Sequence, residues 1–243
     1  MKAFSLSAIL HLTLLMVSIC FAWMLLSFAN FGYSFWFDAL EIHEFIEKNA
    51  PLNRYKEGFE LLSKADYSQL FLSINKAIHS SGQGLDKISY TYINAQGSTI
   101  TTQLLRQPEI THLKDVAWLI NIVKITGTFS ILVLGFCWYF KLIKGAMLSR
   151  KNMLIKCLYF WICLAIFSAI VFIFKPIAFF YWLHELIFPE NHQWFFYYQD
   201  SLMTTLMKAP FIFGPISLCL LGLILILHVT LIFLMTYLKR SPI

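Results

Sequence analysis

The sequence predicts a membrane-embedded all-α bundle of four transmembrane helices, with a small extracytoplasmic α/β cap inserted between the first two. Three observations carry this. Of 243 residues, 58% are hydrophobic and only 13% are charged, against roughly 25% charged in an ordinary soluble domain. Four apolar runs each exceed the roughly 20 residues that cross the hydrocarbon of a bilayer. Charge is also sorted along the chain, so that acidic and basic residues fall in different connecting segments. The mean hydropathy is +0.67, and 24 Phe, 11 Tyr and 7 Trp suit a lipid-facing surface with aromatic belts.

The first span is predicted within residues 1–29. Its apolar stretch is far longer than a signal-peptide core and no small-x-small site follows, so it reads as an uncleaved signal anchor. Residues 30–115 form the cap, too long for a simple connector. Within it, WFDALEIHEFIEKN (36–49) reads as a short amphipathic helix. ADYSQLFLSINKAIHSS (65–81) has apolar residues near i, i+3, i+4 and i+7 and reads as a second helix. ISYTYINAQGSTITTQLL (88–105) alternates around the turn NAQG and reads as a β-hairpin. The second span, 116–140, has a helix-start signature ahead of it in Pro108 and Glu109. A basic loop follows at 141–156, then the third span at 157–183. The segment 184–210, rich in aromatics, is expected to skim the membrane interface. The fourth span covers 211–238, with a tail at 239–243.

Topology follows from charge. Residues 141–156 hold five basic residues and no acid, while all thirteen acidic residues lie in 30–115 (ten) and 184–210 (three). The positive-inside rule makes both termini cytoplasmic and turns the two acidic segments outward. The net charge of +6 is largely this topology signal and calls for no nucleic acid. The five cysteines fall in apolar stretches without a CxxC pair, which argues against a disulfide framework.

The chemistry-bearing residues gather near the outer ends of the second and third spans. His112 and Asp115 are three apart and share a helix face; His184 ends the third span at a similar depth. Histidine suits proton transfer near neutral pH, and Asp115 is placed to fix the tautomer of His112. Lys124 and Lys175 each lie nine residues inward from Asp115 and His184, where a cation is costly and either snorkels or meets a substrate group. His11 and His228 share a mid-bilayer depth, which fits an interhelical hydrogen bond or a haem pair. His43, His79 and His192 carry no distinctive spacing. No GxSxG, HExxH, P-loop or dinucleotide motif occurs, and no serine or cysteine has an evident nucleophile setting.

Three stretches carry a resemblance. They are E-x-x-H-L-x-D-V (Glu109, His112, Leu113, Asp115, Val116), F-x-x-L-H-E-x-x-F-x-x-x-x-x-W (Phe180 to Trp194), and D-S-L-M followed by P-F-I-F (Asp200 to Phe213). With them the chain resembles the lipoprotein intramolecular transacylases (Lit), a family of bacterial integral membrane proteins. The 72-residue separation of His112 and His184 fits that family too. The resemblance implies a cofactor-independent acyltransferase of the bacterial cytoplasmic membrane, active at the outer leaflet. Its substrate is a lipoprotein whose N-terminal cysteine carries a diacylglyceryl thioether. The sn-2 acyl chain moves to the cysteine α-amine and leaves a lyso-form product. The implied catalytic set is His112 and His184 as base and acid, with Asp115 orienting His112. Lys124, Lys175, Trp194 and Glu109 are the expected substrate-binding residues, and no metal ligand is expected. Three other readings stay open: a bis-histidine haem electron carrier; a zinc hydrolase using His112, Asp115, His184 and Glu185; and a non-catalytic assembly factor.

Overall fold

A computed structural model describes residues 2–144, 150–174 and 176–237. Among these residues the chain is mostly helical, with one two-stranded sheet. Four helices are long and apolar enough to cross a membrane, with candidate spans Ala8–Phe28, Gln107–Tyr139, Arg150–Val171 and Phe213–Thr236. This is a multi-pass membrane protein. The residues fall into two compact units, one of 26–122 and 184–218, the other of the remaining spanning segments.

The spanning unit takes its residues from α1 (Lys2–Phe28), α5 (Gln107–Lys144), α6 (Arg150–Phe174), α7 (Pro176–Ile187) and α9 (Phe213–Tyr237). The apolar run expected as one span over 157–183 is helical on both sides of residue 175, as α6 and α7. A small internal cluster of Leu10, Leu14, Met153, Cys157, Ile232 and Met235 holds the unit together. Most other large apolar side chains on the spans are exposed, including Phe129, Leu132, Phe136, Leu158 and Ile166. That surface suits acyl chains as its solvent. In α6 only 6% of the most apolar window is buried, against 39% in α1. One close approach locks α1 to α5: a Cβ placed on Gly127 would lie 2.5 Å from the Cys20 sulfur.

The globular unit holds α2 (Tyr33–Ala39), α3 (Ile42–Asn49), α4 (Lys64–His79), the hairpin β1 (Ser89–Ile93) with β2 (Thr99–Gln103), and α8 (Leu202–Leu206). Ser63 and Asp66 start α4 with a reciprocal capping box. The Ser63 N–H and Oγ–H both donate to the Asp66 carboxylate, and these bonds hold its carboxyl below the usual range. The hairpin runs antiparallel, with Ser89 opposite Gln103 and Ile93 opposite Thr99, as its alternation and NAQG turn predict. Asn94 Oδ1 closes the turn by accepting from the Gln96 and Ser98 N–H groups.

One expectation changes. The single helix read over 36–49 is two, broken where Glu41 takes a left-handed φ of 52°. The Leu40 carbonyl at this break accepts from Lys208 Nζ at 2.6 Å, so a distant cation satisfies the carbonyl at the break. The segment 184–210, expected as an interfacial stretch, also contributes to the packing of the globular unit, where all five residues of α8 are buried. The Tyr33 hydroxyl donates to the Leu206 carbonyl at 2.8 Å while its ring stacks on Phe71 at 4.2 Å. Arg54 pairs with Asp200 at 3.3 Å, and its N–H donates to the Gln199 carbonyl.

The Gly127 contact gives a test with a definite sign. Helix propensity alone favours Gly127→Ala by about 1 kcal/mol. We expect a net loss of thermal stability in detergent, because overpacking costs about 1–3 kcal/mol. Adding Cys20→Gly should remove the clash and recover stability.

Candidate active site

The first turns of α5 are set by a buried carboxylate. Pro108 and Glu109 open the helix as their sequence signature predicts, and the helix then runs without a break through His112 and Asp115. Glu109 has no exposed surface. Its Oε2 accepts from the Arg106 N–H at 2.7 Å and its Oε1 from the Ser201 hydroxyl at 2.6 Å. The Arg106 Nε is 3.7 Å from Oε2, an ion pair longer than a hydrogen bond, and the guanidinium lies over the Tyr55 ring at 4.3 Å. Lys56 also faces this group; burial pushes its ammonium below the ordinary value, while the charge of Glu109 pulls the other way. Ser201 is fully buried and its Oγ accepts from the Thr204 N–H, capping α8. Held from both sides, the hydroxyl is a tie and not a presented nucleophile. Glu109, expected from sequence to contact substrate, is enclosed here by protein groups.

One turn further on, His112 is half-buried. Its ring centroid is 4.7 Å from that of Phe188 and 6.0 Å from that of Phe196. His184, in the last turn of α7, lies 5.5 Å from the same Phe188 and 4.9 Å from Trp194. The structure thus brings the two histidines against one aromatic ring. Trp194, expected at the lip of the site, packs on His184. The His112 Nδ1 is buried with no hydrogen-bond partner among the described residues.

Asp115 differs from expectation. Its Oδ2 accepts from His192 Nδ1 at 2.7 Å, so His192 and not His112 is its partner. One turn of helix puts Asp115 and His112 on the same face, but side by side and not facing. His192 stands in the tight turn after α7, where its N–H donates to the Pro189 carbonyl. Seventy-seven residues separate it from Asp115. Linear spacing therefore gave no sign of the pair.

Lys124 belongs to the spanning unit and is half-buried there. Lys175 lies outside the described residues. His11 and His228 meet in the spanning unit with centroids 4.7 Å apart and planes tilted by 46°. Those rings are too close for a porphyrin between them. Trp161 Nε1 donates to His228 Nδ1 at 3.4 Å. Among the described residues no three His, Cys, Asp or Glu side chains converge as a metal site, so the four-residue zinc set does not assemble. Phe188 lies against both His112 and His184. The arrangement offers two imidazoles in an aromatic surround. That is suited to moving protons between groups the substrate itself brings.

Comparison with known proteins gives consistent results. The family profile described as lipoprotein intramolecular transacylase Lit matches residues 4–211. Among solved structures, the membrane-integral transacylase Lit of Bacillus cereus, carrying a histidine-to-arginine substitution, is similar with a TM-score of 0.61 at 16% identity. The alignment covers 98% of this chain and 96% of that one; at this identity the likeness concerns the fold. No curated protein matches the chain.

The Glu109 tie gives a graded test of stability. Ser201→Ala should lower thermal stability in detergent by about 1–3 kcal/mol, because a buried carboxylate loses a donor. Glu109→Ala should cost more, about 3–5 kcal/mol, because it strands the Arg106 cation as well.

Proposed function

Because the chain belongs to the family of lipoprotein intramolecular transacylases, we propose that it moves the sn-2 acyl chain of a diacylglyceryl-cysteine lipoprotein to the N-terminal α-amine. The observation that carries this reading is the meeting of His112 and His184 at Phe188, on a half-buried aromatic surface. The chemistry needs little else. An ester becomes an amide, so no energy donor is required. Nucleophile and electrophile belong to one molecule, and orientation supplies much of the rate.

The steps balance without a cofactor. The α-ammonium, with an ordinary pKa near 7.7–8.0, first loses a proton to solvent, and the remaining steps start from the neutral amine. The neutral nitrogen attacks the ester carbonyl carbon and the C–N bond forms. One imidazole takes the proton that the nitrogen sheds. The tetrahedral intermediate collapses, the C–O bond to glycerol breaks, and the other imidazole protonates the departing oxygen. The net change is an acyl group moved one way and a proton the other. The fused roles of base and acid match two histidines that need no third partner in common.

The aromatic surround has a chemical purpose in this scheme. Water admitted beside the same pair would hydrolyse the ester and waste the acyl chain. Trp194 packed at a tilt against His184 and Phe196 beside His112 support its exclusion. In this reading both termini face the cytoplasm and the site works at the outer leaflet, where a secreted lipoprotein is held by its diacylglyceryl group.

The transfer leaves total lipopeptide mass unchanged, since nothing enters or leaves. Fragmentation must therefore locate the chain. Tandem mass spectrometry of lipoprotein N-termini should show an N-acyl cysteine fragment only when the active chain is present. His112→Ala and His184→Ala should each slow conversion by about 100-fold or more. Undiminished conversion in either variant overturns the role of that histidine.

A further inference from the structure

Asp115 does not serve His112, and its geometry assigns it other work. The carboxylate only accepts, so the 2.7 Å contact to His192 is an Nδ1–H donation. A neutral His192 leaves the full negative charge on Asp115. The second oxygen, Oδ1, takes no hydrogen bond from the described residues. Both side chains are partly open, at 21% for Asp115 and 30% for His192. The carboxylate lines a cavity of about 270 Å³ whose other walls are Trp118, Leu119, Ile187, Phe188 and Pro189. One anion with a spare oxygen in an otherwise apolar hollow matches a cation carried on an apolar molecule. The hollow is slightly smaller than the roughly 300 Å³ at which drug-sized pockets begin. It fits the amine end of such a molecule and not two whole acyl chains. Its Phe188 wall is also the ring against which His112 and His184 lie.

We propose that Asp115, held in place by His192, forms an ammonium subsite that takes the N-terminal α-ammonium of the lipid-modified cysteine. The proposal rests on the transacylase reading and adds to it the group that recognises the amine. An ammonium has three N–H donors. Asp115 Oδ1 accepts one, while His192, which does not itself line the hollow, holds Oδ2 and so orients the carboxylate. The amine is then held one aromatic ring from the imidazoles that receive its proton.

The test is equilibrium binding by the full-length protein in nanodiscs at pH 7, where most of an ordinary α-amine is charged. The probes are a dialkyl-ether analogue of the diacylglyceryl-cysteinyl peptide, which cannot transfer a chain, and its N-acetylated form. The wild-type protein should prefer the free amine by about tenfold or more, the range of one charge-assisted hydrogen bond. Asp115→Asn should abolish the preference while binding of the N-acetylated probe stays unchanged, which also shows the variant is folded. If Asp115→Asn binds neither probe, Asp115→Glu decides: a retained preference supports the subsite and a lost one overturns it. Equal affinities in the wild type, or a preference that survives Asp115→Asn, overturn it. A wild-type protein that transfers the chain on ester substrate yet shows no amine preference sinks the subsite alone. One that neither binds these probes nor transfers the chain sinks the transacylase reading and the subsite with it.

Discussion

A carboxylate with no access to water governs the globular unit. Burying a charge is costly unless its oxygens are satisfied, and Glu109 meets that demand only if Arg106 and Ser201 come to it. The demand joins residues 92 apart in sequence. It fixes where α5 begins, and helix geometry then dictates that His112 stands one turn on and Asp115 two. Ser201 caps α8 with the same oxygen, so the chain after α7 must fold back onto the globule. That return path carries Phe188, His192 and Trp194 to their places.

The two units use polar groups in opposite ways. In the globular unit, long-range side-chain bonds to backbone carbonyls do much of the tying: Lys208 to Leu40, Tyr33 to Leu206, Tyr67 to Phe59, and Tyr90 to Glu57. Each satisfies a carbonyl while its apolar stem or ring fills the core. In the spanning unit the notable polar group is the His11 and His228 pair, buried to 7% and 0% exposure. Trp161 fixes the tautomer of His228, because an indole N–H can only donate. Close apolar contact, as at Cys20 and Gly127, and the donation from Arg150 Nε to Thr236 Oγ1 at 3.0 Å also hold the unit.

What the sequence made legible follows from the range of each signal. Span number, the hairpin with its turn, α4 and the start of α5 rest on local patterns of a few to twenty residues, and these were readable. The left-handed break at Glu41 was not, since it depends on Lys208 reaching Leu40 from far along the chain. The burial of α8 was hidden for the same reason: aromatic residues such as Phe195 and Tyr197 gave the segment the look of an interfacial stretch. At the site, His112 and His184 were visible as histidines at matched depth on neighbouring helices. Their shared contact, Phe188, sat unnoticed inside a quoted motif. The partner of Asp115 was misassigned because helix periodicity reports which residues share a face, not which loop descends on it. The burial of Glu109 likewise needed Ser201, which no spacing rule connects to it.

The sparse burial of α6 bears on how this chain tolerates change. A side chain pressed among neighbours is constrained in shape, volume and rotamer together. One bathed in hydrocarbon answers only to its transfer free energy, which Leu, Ile, Val and Phe meet almost equally well. Over most of α6 the code is therefore degenerate, a requirement for oiliness without a requirement for fit. Drift should accumulate there first, while Met153 and Cys157, the two residues of that helix in the packed cluster, keep the stricter spelling.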